Sequence, residues 1–428
     1  MHSRVQITDA EEYLPSMQPA NDPQPLYNRI RDVFEHGFTI DWVTASFITI
    51  THLVCLIGAP IAYYWAPDGF WQVMLAWTLI QAVVGSLSTT VYAHRLISHG
   101  AARVITWPVH IAFGFIGHVF AMQGSIRRWA AMHVMHHGVD GSGKHELDPY
   151  SATWFPSAWR NFLWSHVLTY FFYHPDTKAA ESAYRAKSST PLLWQERLYV
   201  PLMILLNFIL PTVVGFALTG TAAGAFGLLM ASVGGFILAQ HNTWTVNSVT
   251  HMWGLKDGLI SSAKNNYIWL GPMGEGNHHA DHHDFPRDYR NGFGWTGWLL
   301  DPSRYVLLLL NALGLVKGLA RASKSREAEI IAKRKLIEAQ ARTHRSGWEK
   351  WESRLEQLTA EWLEATRQWE SFHRRKIQLK SMSLPTLELN KKLAVLKAEI
   401  AVSKRAMLAR KQAFFDALFE MTVMGRVA

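Results

Sequence analysis

Charge is missing from long stretches of this chain, and that absence limits its fold more than any other feature. No Lys, Arg, Asp or Glu lies between Asp41 and Asp68, between Asp68 and His94, or from Leu198 to Leu255. A helix needs about 20 apolar residues to cross the hydrocarbon core of a bilayer. Spans are therefore expected at 47–65, 70–92, 198–218 and 222–240, joined in pairs by turns at Pro67-Asp68-Gly69 and Thr219-Gly220-Thr221. The fold class this implies is an all-α, multi-pass membrane protein with four transmembrane helices and a helical cap outside the bilayer.

Neither inter-span turn holds a basic residue, whereas the opposite ends of the spans face an Arg-rich central loop. By the positive-inside rule both termini and that loop are expected to be cytoplasmic. The membrane would be the endoplasmic reticulum in a eukaryote and the inner membrane in a bacterium. Residues 1–41 are polar and mixed in charge, so no cleavable signal peptide is expected. Two further apolar stretches fit poorly as spans. Residues 104–126 are long enough to cross but contain Trp107, Pro108, His110 and His118, and a crossing there would separate histidines that belong together. An interfacial or re-entrant segment is expected instead. Residues 305–316 are too short to cross and fit an interfacial helix. The single cysteine, Cys55, excludes internal disulfides and cysteine-based metal sites.

Histidines gather just outside the spans: His94 and His99; His133, His136 and His137; His251; and His279, His282 and His283. With 21 His in 428 residues, the pattern H-x-x-H-H is expected by chance about 0.05 times, yet it occurs twice. Helix positions i, i+3 and i+4 share a face, so each triple aims three imidazoles at one point. Asn247 and His251 are four apart and also converge. His94 and His99 are five apart, which a regular helix spreads by roughly 140°. They would then serve different metals, or sit where the helix frays. Nine imidazoles exceed what one ion can take, so two metals are expected, with iron, copper and zinc all compatible with imidazole. His52, His110 and His118 lie in apolar stretches and are expected to be packed or hydrogen-bonded.

These motifs resemble the histidine boxes of membrane fatty acyl desaturases of the stearoyl-CoA type. The likeness rests on His94-Arg-Leu-Ile-Ser-His99, His133-Val-Met-His-His137, Asn247-Ser-Val-Thr-His251 and Gly274-Glu-Gly through His279-Ala-Asp-His-His283-Asp-Phe-Pro286. Asp148-Pro149, Asn242-Thr-Trp244, Asp288-Tyr289 and Asp301-Pro302 agree, and the likeness covers 42–319. It implies two iron ions held by His94, His99, His133, His136, His137, His251, His279, His282 and His283, with Asn247 meeting one iron through water. The last box has one extra residue, so His278 competes with His279; only His279 keeps the shared face. The likeness further implies Trp129, Trp244 and Thr243 along an acyl channel, O2 as co-substrate, and two electrons from an external cytochrome b5 or ferredoxin type of donor.

The activity implied is insertion of a double bond into a long acyl chain. A hydroxylase using the same site is one rival, and a membrane metal-binding or metal-transport protein is another. Family members that use acyl-CoA carry basic residues where this chain has Ala131, Phe172 and Tyr173. Phosphate recognition needs cations, so a weaker dependence on CoA is expected, with Arg127, Arg128, Lys178, Arg185 and Lys187 as substitutes. Residues 320–428 form a basic extension: from Lys317 onward the chain carries +11, and the rest carries -2. Trp348, Trp351, Leu355, Leu358, Trp362, Ala365, Trp369 and Phe372 recur at alternating spacings of three and four, a coiled-coil-like seam. A second stripe runs from Leu389 to Phe414. A C-terminal helical hairpin is expected, serving to stabilise or oligomerise the protein, with docking of the electron donor as the alternative. No nucleic-acid motif accompanies the basic excess.

Overall fold

The computed structural model describes residues 25–140, 148–186, 188–255, 259, 261–266, 275–342, 345–382 and 385–424. Residues 1–24 of the N-terminal segment, Lys187, Gly274 of the last histidine motif and residues 383–384 of the tail turn lie outside the described residues. The chain forms two compact units, Met1–Arg321 and Ala322–Ala428.

In the first unit, helices α1 (Trp42–Trp65) and α2 (Phe70–Ser98) form one apolar hairpin. Gly69, at φ +75°, makes the left-handed turn between them. After them come α3 (Trp107–Phe120) and α4 (Ile126–Val139), then the short helices α5 (Ala158–His166) and α6 (Thr177–Ala186). A second apolar hairpin comprises α7 (Thr190–Thr219) and α8 (Ala222–Met252). The last elements of the unit are α9 (His279–Asp284) and α10 (Pro302–Ala312). Helices α1, α2, α7 and α8 are each long and apolar enough to cross a membrane, so the chain is an integral membrane protein.

Each of these four helices outruns its apolar span at the end that carries, or lies nearest to, the histidine boxes. An apolar count measures bilayer thickness, whereas the hydrogen-bond ladder continues into the cap. Asp41 starts α1 by accepting from the Thr44 amide at 3.1 Å and its hydroxyl at 2.8 Å. The same carboxylate receives Arg128 of α4 at 2.9 Å, tying the cap to the first span. Ala62, Phe70, Met74, Leu228, Met230 and Phe236 fill the space between the hairpins. Gln81 of α2 donates to Asn207 of α7 at 2.8 Å, a buried polar tie of the kind membrane helices use in place of hydrophobic drive.

Helix α3 is 14 residues long, about 21 Å at 1.5 Å per residue, and short of a bilayer core. It is entered through Arg103–Val104, which pairs antiparallel with Val316–Lys317. Helix α10 ends at Ala312, a few residues before the boundary read from apolarity.

The second unit contains the expected hairpin, formed by α12 (Arg345–Ser381) and α13 (Thr386–Met424), and among the described residues adds a helix before it, α11 (Lys324–Arg342). Trp348, Leu355 and Trp362 of the seam are buried with Phe414, Ala417 and Met421, and α11 adds Ala328 and Ala332. Four tryptophans on one seam present more apolar surface than one partner helix covers, and the charged sequence of α11 conceals the small apolar face that completes the core.

The α7–α8 turn depends on a close approach. A Cβ on Gly215 would sit 2.3 Å from the Gly224 carbonyl oxygen, a backbone atom with no rotamer to yield. Gly215→Val is therefore expected to destabilise the detergent-solubilised protein by about 1–3 kcal/mol, read as a lower unfolding temperature.

Candidate metal centre

Helix geometry brings the first histidine pair together in a way regular periodicity does not foresee. Over Thr89–Ser98 the end of α2 widens into a π-helix, and the His99 amide donates to the His94 carbonyl at 3.1 Å. This i to i+5 turn places residues five apart on one side, so the two rings lie 4.9 Å apart between centroids. Neither separation onto different metals nor fraying occurs.

His94 and His99 join His133, His137 and His282 in one group whose ligand atoms all lie within 4.8 Å of one another. Nε2 of His282 is 2.9 Å from Nε2 of His94 and 3.2 Å from that of His137, and His99 and His133 meet at 2.8 Å. A second group contains His136, His251 and His283 with Asp140. His279 belongs beside it, its Nε2 lying 2.9 Å from that of His251 and 3.2 Å from that of His283. His278 points elsewhere, to Asp281 at 3.2 Å and against Gly292. The extra residue of the last box is thus taken up ahead of His279.

The outer nitrogens explain why the inner ones converge. His136 Nδ1 is 2.8 Å from Asp148, His251 Nδ1 is 2.7 Å from Ser262, and His283 Nδ1 is 3.2 Å from Asp140. His94 Nδ1 lies 3.5 Å from Glu275. Asp148 and Ser262 accept from the Nδ1 proton of His136 and His251 and so leave Nε2 as a lone pair facing inward, while Asp140 and Glu275 lie close behind the rings of His283 and His94. The buried Nε2 of His136 has no hydrogen-bond partner. A proton can bridge one such pair, but four or five imidazole nitrogens gathered at one point are what a cation satisfies together, so the donor set fits metal ions. Asp140 is an orienting group: its other oxygen accepts from the Ser262 amide and hydroxyl.

Electrostatics agree. Burial, followed by Arg95 and His136, lowers His99 to about 3. Burial and then the neighbouring imidazoles push His133, His137, His279, His282 and His283 well below the usual histidine range. Burial also opposes charging of His136, but the Asp148 carboxylate outweighs it and raises the group. Most of these rings are therefore neutral at pH 7, the form a metal binds.

Several supporting residues had no role assigned from sequence: Arg95, Asp140, Ser262, Asn291 and Asp301. Two of them are adjacent to a box in sequence, Arg95 next to His94 and Asp140 three residues after His137, whereas Ser262, Asn291 and Asp301 lie further off and carry no local signal. Asn247 is on α8 one turn before His251, and its amide donates to the Tyr170 hydroxyl at 3.0 Å. Trp129 stacks on His133 at 4.9 Å and donates to Gln123 at 3.1 Å; Gln123 in turn donates to Thr243. Trp244 is turned away from this set, among His52, His166, Tyr170 and His241.

The geometry separates ligands from orienting groups. Asp148→Asn is expected to lower metal affinity about 10–100-fold with the helical circular dichroism unchanged, whereas His278→Ala should keep full metal content. Metal analysis of the purified variants measures both.

The fatty acid desaturase family profile matches residues 38–300. Among similar proteins is the sn-2 palmitoyl-lipid 9-desaturase of Nostoc sp. (strain 36), 29% identical across 64% of this chain and 89% of its own. The Delta(9)-fatty-acid desaturase fat-6 of Caenorhabditis elegans is 30% identical across 65% and 78%. Stearoyl-CoA desaturase of Bos taurus is 30% identical across 58% and 67%. With a family match over more than half its length and a histidine centre of this geometry, the chain belongs to the fatty acid desaturase family.

Proposed function

We propose that this membrane oxidoreductase holds two irons and desaturates a long acyl chain esterified to a lipid or carrier, using O2 and two electrons from a separate cytochrome b5 or ferredoxin type of protein. The observation that carries the reading is the pair of buried imidazole groups, each converging on its own centre. One iron falls to His94, His99, His133, His137 and His282. The other falls to His136, His251, His279 and His283, with Asn247 reaching it through water. When bound, the irons supply the oxygen activation that two unactivated neighbouring carbons require. Family membership disfavours the metal-transport rival, and the relatives' names carry desaturation rather than hydroxylation.

The chain's own residues orient and enclose. Asp140, Asp148 and Glu275 hold the imidazole rings by their outer nitrogens. Trp129, fixed by Gln123, and Thr243 line the acyl path beside His133, whereas Trp244 packs apart from them among His52, His166, Tyr170 and His241. Dry walls of this kind keep water from the reacting carbons. The names of the Nostoc and Caenorhabditis relatives put their double bond at carbon 9, and we extend that position to this chain. The end of the spans that carries the boxes is taken as cytoplasmic, in line with its Arg-rich loop.

The headgroup reading follows from where the cations are spent. Arg127 is buried and forms a fork with Glu196, its Nε at 2.8 Å, while also donating to the Glu181 carbonyl at 2.9 Å. Arg128 is shared between Asp41 at 2.9 Å and Glu181 at 3.2 Å. Both are paired with carboxylates, which argues against their acting as CoA-binding substitutes. Lys178 and Arg185 remain exposed on α6.

Expression in a host lacking its own desaturase, followed by mass spectrometry of total lipid, tests the activity. Monounsaturated chains should accumulate with the wild type and be absent with His136→Ala or His282→Ala, each having lost iron. Arg127→Ala should lower thermal stability while leaving the KM for any acyl-CoA substrate unchanged; a severalfold rise in KM would restore the CoA reading. The tail is proposed to drive oligomerisation. Truncation before Lys324 should keep the iron content and change only the oligomeric mass measured by light scattering.

A further inference from the structure

A third set of histidines lies inside the first unit, apart from the boxes. His52 of α1, His241 of α8 and His166 at the end of α5 form a continuous chain. Nε2 of His52 is 3.2 Å from Nε2 of His241, and Nδ1 of His241 is 2.9 Å from Nε2 of His166. His166 Nδ1 is 3.0 Å from the Ser248 hydroxyl, and His52 Nδ1 is 2.7 Å from the Ile48 carbonyl. His241 precedes His251 by ten residues, about 15 Å along the helix axis, so the set stands clear of the metal centre already described.

Counting protons along the chain identifies what the gap between His52 and His241 can take. A carbonyl only accepts, so His52 carries its proton on Nδ1 and presents a lone pair at Nε2. At the other end Ser248 donates to the Trp244 carbonyl at 2.9 Å and accepts from His166 Nδ1. His166 then accepts at Nε2 from His241 Nδ1, and His241 is left with a lone pair at Nε2. Every group is satisfied except the two Nε2 atoms, which face each other. Burial, then His241, lowers His166 to about 4, consistent with a neutral chain. When Ser248 instead turns its proton to His166, the whole chain reverses and a hydrogen bond closes the gap. Two states are thus built in, one closed by a proton and one open to a cation.

We propose that His52 and His241 form a metal site, distinct from the two box clusters, that binds a borderline divalent cation such as Zn2+ between α1 and α8. Two nitrogens 3.2 Å apart, each about 2.0–2.1 Å from zinc, subtend about 100° at the ion, close to a tetrahedral angle. His166 and Ser248 are positioning residues: they hold the proton on His241 Nδ1 and so keep Nε2 free, as outer partners do for metal-ligating histidines. Trp244 stacks on His52 with planes 12° apart and fixes its orientation. Two protein ligands leave coordination positions open, so the ion exchanges and a chelator removes it before the iron.

The test uses full-length, iron-loaded protein in detergent, titrated with Zn2+ and analysed for both metals. The wild type should take up one more zinc per chain than His52→Gln or His241→Gln, with iron content equal in all three. Ser248→Ala should weaken uptake severalfold through the lost anchor alone. X-ray absorption at the zinc edge of the wild type should show two imidazole ligands, a reading that holds even where a variant fails to fold. Equal zinc uptake by wild type and folded variants, zinc gained only as iron is lost, or fewer than two imidazoles at the edge would each overturn the site.

Discussion

One buried guanidinium holds the metal centre together. Arg95 is almost fully enclosed and meets Glu275 at 2.9 Å and Asp301 at 2.6 Å, while also donating to the Tyr289 carbonyl at 3.0 Å. These partners come from segments about 200 residues away in sequence. Asp301 caps α10 by accepting from the Arg304 amide, and Glu275 also receives the Asn291 side chain and sits beside His94. The first box, the approach to the last box and the closing helix are thus fixed by one charge. Removing one partner of such a buried set costs about 3–5 kcal/mol, because an uncompensated charge is left in low dielectric. That sensitivity lets one side chain set the register of imidazoles drawn from distant segments.

The same network leaves a charge excess that the function uses. Arg95 cancels one of its two carboxylates. Beyond it, Asp140, Asp148 and Glu275 each lean on the outer nitrogen of a box histidine. Neutral imidazoles backed by anions form an electron-rich lining that stabilises dications and raises ligand basicity. Facing lone pairs and buried carboxylates would both gain from bound cations, so metal binding would be coupled to completion of the cap.

Much of this was legible in the sequence because it depends on local pattern. Uncharged runs report bilayer thickness, and repeated H-x-x-H-H reports a helical face, so the four apolar helices and the box positions follow from counting. What counting missed arises from departures and distances. The five-residue spacing of His94 and His99 looks divergent until the helix widens to i to i+5. Arg127 looks like a free cation until Glu196, 69 residues on, meets it. The third helix of the tail unit, α11, is concealed because its buried face consists of small residues such as Ala328 and Ala332 within a charged sequence. In the first case the deciding feature is a local i to i+5 ladder that regular helical periodicity does not foresee; in the other two the deciding partner is remote in sequence, where neither propensity nor periodicity carries information.

Histidine content by itself does not decide which rings bind metal; the partner of the outer nitrogen does. His118 is fully buried, but its Nδ1 lies 3.4 Å from the Thr89 hydroxyl and no other imidazole faces its Nε2. His110 is held by the Tyr92 hydroxyl. Both are structural, as apolar surroundings suggest. The box histidines differ in meeting other imidazole nitrogens in front, and four of them, His94, His136, His251 and His283, also have a carboxylate or hydroxyl behind them. His52 and His241 share that arrangement, with a carbonyl behind one and a relay of His166 and Ser248 behind the other. The same physical rule therefore sorts three classes of histidine within one chain: a ring becomes a ligand where its proton is held on the far side and its lone pair meets another.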